Sequence, residues 1–401
     1  MPDGREPMQI RTIDSIAAVP AAAWDACAGS DNPFVSHAFL KALEDSRSVG
    51  ARTGWLPRHV VVEDGAGALL AAAPMYVKSH SQGEYVFDHG WADAYERAGG
   101  RYYPKLQVAV PFTPVPGPRL LVRPGAFADE ARAALLHGLV EIARRLNVSS
   151  LHVTFPHARD AEHLADAGFM LRLGCQYHWT NRGYGTFEDF LADLASRKRK
   201  AIRKERREAL ANGIAIRALG GDEIEPRHWD AFFAFYMDTG GRKWGRPYLT
   251  RAFFECLGAT MADRTVLMLA EQDGRPVAGA LNLRGAEALY GRNWGCLGDF
   301  RFLHFETCYY QAIEYAILHG LQRVEAGAQG EHKIQRGYLP TPTWSAHWIR
   351  DPAFAAAVEN FLGRERAAME AEMRGLTEYS PFRRSGERDS EGSTHLQQTT
   401  T

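Results

Sequence analysis

Along the chain, apolar and polar positions fall into one pattern that occurs twice. His37-Ala-Phe-Leu-Lys-Ala-Leu43 has helical spacing. After a connector, His59 to Gly65 and Ala68 to Val77 read as two strands joined at Asp64-Gly65, a turn dipeptide. Glu130 to Leu146 is again helical in period, and Ser150 to Phe155 follows as a strand. In the second half Thr250 to Leu257 repeats the helix, and Thr265 to Gly274 with Pro276 to Leu283 repeats the strand pair around Asp273-Gly274. Phe305 to His319 repeats the long helix, with Gly320 as its stop, and Leu321 to Gly327 repeats the last strand. A unit of helix, hairpin, helix and strand therefore occurs twice. It predicts two tandem α/β (α+β) domains with mixed central sheets, over about 8–182 and 183–350.

Three segments stand outside the repeat. The first copy carries an insertion at about 85–121, polar, aromatic and punctuated by proline, the kind of long irregular segment that often bears function. Asp351-Pro352 predicts the N-cap and first position of a C-terminal helix spanning about 351–380. From 381 to 401 the chain is polar with no apolar period, which predicts a disordered tail.

Composition narrows the function classes. Lys plus Arg total 47 and Asp plus Glu 48, so the protein is neither a basic nucleic-acid coat nor an acidic solvating chain. The five cysteines form no C-x-x-C pair, as expected of thiols in a reducing compartment. No leader and no apolar run of membrane-spanning length is read, so a cytoplasmic protein is expected, with at most peripheral membrane contact. No H-E-x-x-H occurs among the 15 histidines, and no metal is expected.

Candidate chemistry concentrates in four places. Arg292-Asn-Trp-Gly295-Cys-Leu-Gly298 precedes a helix and reads as a strand-to-helix turn. Glu325, Gln329, Glu331, His332, Lys333 and Arg336 cluster at a strand end. There Glu325 and His332 could move a proton, and Lys333 or Arg336 could neutralise a phosphate or an oxyanion. Eight cations within 197–207, among them Arg199 and Arg203, repel one another unless a polyanion sits near them. Arg242 and Lys243 lie in a basic loop after Gly240-Gly241, and Asp88, His89, Tyr103 and Lys105 of the insertion gather charge and aromatic faces that could bind a ligand.

Ala161 to Phe169 ahead of Gln176-Tyr-His-Trp179, Glu325 to Lys333 ahead of Gly337-Tyr338 and Thr343 to Trp348, and the basic run followed by Asn212-Gly-Ile-Ala-Ile216 together resemble the GNAT acyltransferase superfamily. More narrowly they resemble its duplicated Fem-type branch. Ser79-His-Ser-Gln-Gly-Glu-Tyr-Val-Phe-Asp-His-Gly-Trp91 is similar to the bacterial Fem-like group described as peptidoglycan biosynthesis or recognition proteins. The resemblance covers about 8–350. It implies transfer of an acyl or aminoacyl group to an amine, with no tightly bound cofactor, acyl-CoA or aminoacyl-tRNA as co-substrate, and a cell-wall precursor as acceptor. The resemblance also implies a donor-binding loop at Arg292, Asn293, Gly295 and Gly298, whose backbone and helix N-terminus would grip the donor, although this R-x-x-G-x-x-G run is one residue longer than the usual GNAT donor loop and Asp299 follows it. Two readings stand beside this one: an acyl-CoA-dependent N-acetyltransferase acting on a small amine or lysine, and a non-catalytic binder of glycan or nucleic acid.

Overall fold

A computed structural model describes residues 8–243, 247–328 and 330–383. Its strands are β1 (Gln9–Ile13), β2 (Trp55–Pro57), β3 (His59–Glu63), β4 (Leu69–Ala73), β5 (Met75–Lys78), β6 (Lys105–Val108), β7 (Leu121–Val122) and β8 (Ser150–Thr154). They continue as β9 (Met170–Thr180), β10 (Ile214–Gly220), β11 (Thr265–Gln272), β12 (Arg275–Arg284), β13 (Ala288–Cys296), β14 (Arg323–Glu325) and β15 (Leu339–Ile349). A four-stranded sheet has the order β1-β3-β4-β7. An eleven-stranded mixed sheet, β10-β11-β12-β13-β14-β9-β15-β8-β6-β5-β2, runs through both halves.

The repeat expected from the sequence is present as two units of mixed α/β architecture, and their sheets are fused by an exchange. The last strand of the first half, β9, pairs with β14 of the second. The last strand of the second half, β15, pairs with β8 of the first. β9 and β15 then pair with each other, from Leu339 opposite His178 to His347 opposite Met170. Pro340 and Pro342 lie in the part of β15 that has β9 on one side and no strand on the other, which is where a residue without an N–H is tolerated.

Several elements differ from the sequence reading. The run from Ala68 to Val77 is broken at Pro74: β4 stays with β3, whereas β5 leaves for the large sheet. The helix expected over 305–319 starts earlier, as Leu303–Phe305, a π turn Glu306–Tyr310, and Gln311–Leu318 in continuous succession. Arg242 and Lys243 end the helix Pro226–Lys243 and do not lie in a loop. The C-terminal helix runs over Pro352–Thr377, capped by Asp351 Oδ1 accepting from Phe354 N at 2.8 Å. Residues 381–383, expected to begin the tail, are packed on the protein, with Phe382 buried against Phe190 and bridging to Leu194. The rest of the tail, 384–401, lies outside the described residues.

Apolar cores lie on both faces of the sheets. One gathers Trp24, Phe34, Phe39, Phe232 and Phe254 from both halves. A second, around Trp179, Phe190, Tyr310 and Tyr338, backs the second half. Among the described residues no helix is long and apolar enough to cross a membrane.

Candidate active site

β13 and β14 are parallel for three residue pairs, Ala288 with Arg323, Leu289 with Val324 and Tyr290 with Glu325. They then separate. The cause is visible in the neighbouring pair: Asn282 faces Gly291 and Leu281 faces Asn293, so Arg292 is the extra residue of a bulge that bends β13. The backbone beyond Glu325 is irregular, and a cavity of about 240 Å³ opens between the carboxyl ends of the two strands. Such ends are where α/β sheets commonly hold ligands. Asn282, Asn293 and Trp294 form one wall, Cys308 and Tyr309 of the π turn another, and His332 and Lys333 the third. A π turn inside a helix often marks a functional site, and this one brings Cys308 and Tyr309 to the same cavity.

The third wall is carried by the 3₁₀ turn Glu331–Arg336. Lys333 is 2% exposed, and its Nζ donates to Gly327 O at 2.9 Å. Burial outweighs the nearby Cys308 and lowers its pKa to about 8. His332 stands at the rim, its Nε2 3.0 Å from Tyr309 Oη. Partial burial, then Arg336 and Lys333, lower its pKa. Arg336 does not reach the cavity: it donates to His332 O at 2.7 Å and to both oxygens of Glu205 at 2.8 and 3.0 Å, over the Phe305 ring. It fixes the turn that presents His332 and Lys333. Gln329 lies outside the described residues.

Glu325 points to the other side of the sheet, toward the first half. It is 4% exposed. Its Oε1 accepts from Arg323 Nε at 2.9 Å, while Oε2 is buried without a hydrogen-bond partner. Arg292 is also turned to the first half, donating to Phe112 O at 2.6 Å, with Phe34 5.7 Å from its guanidinium. Burial lowers its pKa.

The expected donor turn is therefore a strand. Arg292, Asn293 and Gly295 belong to β13, and only Gly298 lies in the turn that follows. The alternation of that strand is masked by three polar positions in a row, Gly291 to Asn293, which the bulge explains. A Cβ on Gly295 would come within 2.3 Å of the Phe235 backbone, so the glycine serves close packing of the helix Pro226–Lys243 on β13. Asn282, Tyr309, His304 and Cys308 were not singled out in the sequence, and nothing in their local pattern marks them.

The basic helix, Ser196–Ala209, packs behind the cavity walls. Arg206 forms a bidentate pair with buried Glu306 of the π turn, at 3.0 and 3.1 Å, and reaches Glu314 at 2.7 Å. Lys198 donates to Gln335, and Tyr310 Oη donates to Glu205. Arg203 is held by Glu188 at 2.5 Å. Arg197, Arg199, Lys200 and Arg207 form no ion pair among the described residues.

The first half has the corresponding parallel pair, β6 with β8. There the space is filled. Residues 110–119 cross it, Gly117 bridges Pro156, and buried Arg119 donates to Thr154 O at 2.9 Å and Val115 O at 2.7 Å. Of the insertion residues, Asp88 and Lys105 come together in the interior. Lys105 Nζ donates to Asp88, to Ser81 Oγ at 2.8 Å and to Glu84 Oε2 at 2.8 Å, and Tyr102 Oη donates to Asp88 at 2.7 Å. Burial pushes the Asp88 pKa up, but Lys105 and His152 outweigh it and hold it well below the usual carboxylate range. Tyr103 touches this network through Ser81 at 2.8 Å, whereas His89 is exposed on the surface.

No curated protein matches the chain in sequence. Among solved structures it is similar to FemX, at TM-score 0.54 and 14% identity over 88% of this chain and 100% of that one. It is also similar to the C-terminal domain (DUF2156) of a putative lysylphosphatidylglycerol synthetase from Agrobacterium fabrum, at TM-score 0.53 and 11% identity over 87% and 97%. A tandem GNAT protein of the clavulanic acid biosynthesis pathway aligns at TM-score 0.43 and 12% identity over 86% and 99%. These likenesses are of fold. The family model for FemAB-like proteins, described as peptidoglycan biosynthesis/recognition, matches residues 15–384, and the chain belongs to that family.

Proposed function

We propose that the protein is an N-acyltransferase that moves an aminoacyl or acyl group onto an amine of a peptidoglycan precursor, with the chemistry in the cavity between β13 and β14. The observation that carries this reading is Lys333, a buried amine at the wall of the cavity, with one hydrogen bond to Gly327 O and two N–H groups left for a ligand. In the reaction the acceptor amine attacks the donor carbonyl. A C–N bond forms, the C–O or C–S bond to the carrier breaks, and negative charge develops on the carbonyl oxygen. Protonated Lys333 is the group best placed to stabilise that oxygen, with the Asn293 amide alongside. His332 at the rim, hydrogen-bonded to Tyr309, accepts the amine proton and returns one to the leaving group.

Aminoacyl-tRNA is favoured as the donor. Four cations of the basic helix with no ion pair among the described residues stand behind the same walls that carry Cys308, Tyr309, His332 and Lys333, and a phosphate backbone would satisfy them. The turn after β13 carries Asp299, and Arg301 there is paired with Glu208 at 3.1 Å, which offers little to a coenzyme pyrophosphate. The protein is expected to act in the cytoplasm, where both donors occur. Purified protein given charged tRNA or acyl-CoA, with a muramyl-peptide acceptor, should form product with the tRNA donor and lose it in Lys333→Ala. Turnover with acyl-CoA alone would assign the second donor, and turnover with neither would leave a binding protein.

A further inference from the structure

In the basic helix, Ser196–Ala209, the positions Lys198, Ile202, Glu205, Arg206 and Ala209 recur at helical spacing. They share one face, and Ile202 and Ala209 are buried on it. Glu205 is the only acidic residue within 197–207. Its carboxylate is divided between two walls of the cavity. Arg336, which ends the 3₁₀ turn Glu331–Arg336, donates Nη2 to both oxygens, at 2.8 and 3.0 Å. Tyr310, the last residue of the π turn, donates its hydroxyl to Oε2. The other inward side chains reach one wall each: Arg206 holds Glu306 of the π turn at 3.0 Å, and Lys198 holds Gln335 of the 3₁₀ turn.

Both contacts continue into the site. Arg336 Nη1 donates to His332 O at 2.7 Å, so the guanidinium that Glu205 grips also holds the peptide between His332 and Lys333. Tyr310 follows Tyr309, whose hydroxyl is 3.0 Å from His332 Nε2. Glu205 thus closes a circuit of contacts through Arg336, His332, Tyr309 and Tyr310, without itself lining the cavity. Its charge matters as much as its reach. Arg336 is 7% exposed, and among the described residues Glu205 is the only carboxylate paired with it. A buried cation deprived of its partner is costly and acts on every titrating group near it. His332 is such a group: it is faced by Tyr309, by the His304 ring at 6.5 Å, and by the cations Lys333 and Arg336 of its own turn.

We propose that Glu205 is a positioning residue of the site: it holds the two walls in register, so that His332 meets Tyr309, and it cancels the Arg336 charge that His332 would otherwise feel. Its effect on the rate rests on the transfer reading above, while its effect on His332 does not. The test uses the full chain, with the His332 imidazole read by NMR titration and kcat and KM measured with charged tRNA and a muramyl-peptide acceptor. In Glu205→Gln the charge is lost and one acceptor oxygen remains. The His332 pKa should fall below its wild-type value, kcat should drop about 10²-fold, the cost of a group displaced by about 1 Å, and KM should stay near wild type. Glu205→Gln combined with Arg336→Gln removes both charges, so it should fold even where the single variant does not. It should return the His332 pKa to at least its wild-type value and keep the low kcat. Glu208→Gln removes the same charge from the same helix, where Glu208 pairs with exposed Lys204 and Arg301, and it should match the wild type in every reading. An unmoved His332 titration in Glu205→Gln, a wild-type kcat in the double variant, or an equal effect of Glu208→Gln overturns the proposal. A shifted His332 titration in a protein that transfers no acyl group would sink the transfer reading and leave the role of Glu205 standing.

Discussion

Glu325 Oε2 stands 3.9 Å from His178 Nε2, and the two residues come from opposite halves of the chain. They are register partners across β14 and β9, so the strand exchange alone puts them side by side. His178 Nε2 is also 3.1 Å from Gln176 Oε1, which assigns its proton to Nε2. Burial lowers the His178 pKa, Glu325 opposes that, and Arg323 and Lys333 add to it. Glu325→Gln should therefore lower the His178 pKa further, measured by the imidazole resonances in an NMR titration. Because the pair lies on the other side of the sheet from the cavity and His332 takes the amine proton, the same variant should keep kcat within a few-fold of wild type. An unchanged titration of His178 would show that the two do not interact.

Lys333 ties activity and stability to pH in opposite directions. Its pKa falls from 10.5 to about 8 on folding, so between those values the native state binds fewer protons than the unfolded chain. Stability should rise with pH across that window, while a rate that needs the cation should fall above about pH 8. Lys333→Met should abolish the rate, flatten the stability slope by the lysine's own share while leaving that of buried Lys78, and raise the melting temperature at neutral pH. Urea titrations at three pH values and a pH–rate profile read the two effects separately.

Lys105→Met should be severely destabilising. It would leave the buried Asp88 and Glu84 carboxylates without their cation, and removing one member of a buried pair costs about 3–5 kcal/mol. Glu84 has its other oxygen 3.6 Å from Lys78, which burial lowers to a pKa of about 7 and which cannot replace Lys105 fully. A shift of the urea midpoint with an unchanged slope is the expected readout.

Gly295→Ala adds one methyl against the Phe235 backbone at 2.3 Å. Backbone cannot rotate away, so the helix Pro226–Lys243 must shift. The expected loss is about 1–3 kcal/mol, the usual cost of overpacking. A melting temperature equal to wild type would show that the helix moves freely.

The fold was legible where spacing is regular. His37–Asp45, the β11–β12 hairpin and the Asp351 cap follow from period and turn chemistry alone. The β13 bulge was not, because an extra residue breaks the alternation that reveals a strand, and it turned Arg292 to Gly295 into an apparent loop. The strand exchange leaves no local mark at all: β9 and β15 read the same whichever half they join. Of the site, Lys333 and His332 were visible as a dense polar cluster, and the structure sets both on one cavity. Asn282, Cys308 and Tyr309 were not, since each looks like an ordinary position on an apolar strand or helix until distant segments meet. Arg336 and Lys105 carried the right charge for a ligand but spend it inside the protein.

The crossed placement of β9 and β15 bears on how the molecule is made. An N-terminal domain commonly completes itself on the ribosome before the rest of the chain emerges. Here β8 waits for Ser345–Ile349 as its neighbour, so the first half cannot close its sheet until translation has passed residue 349. A gene cut between the two repeats would encode two fragments, each missing a central strand, that could regain the native sheet only by finding one another.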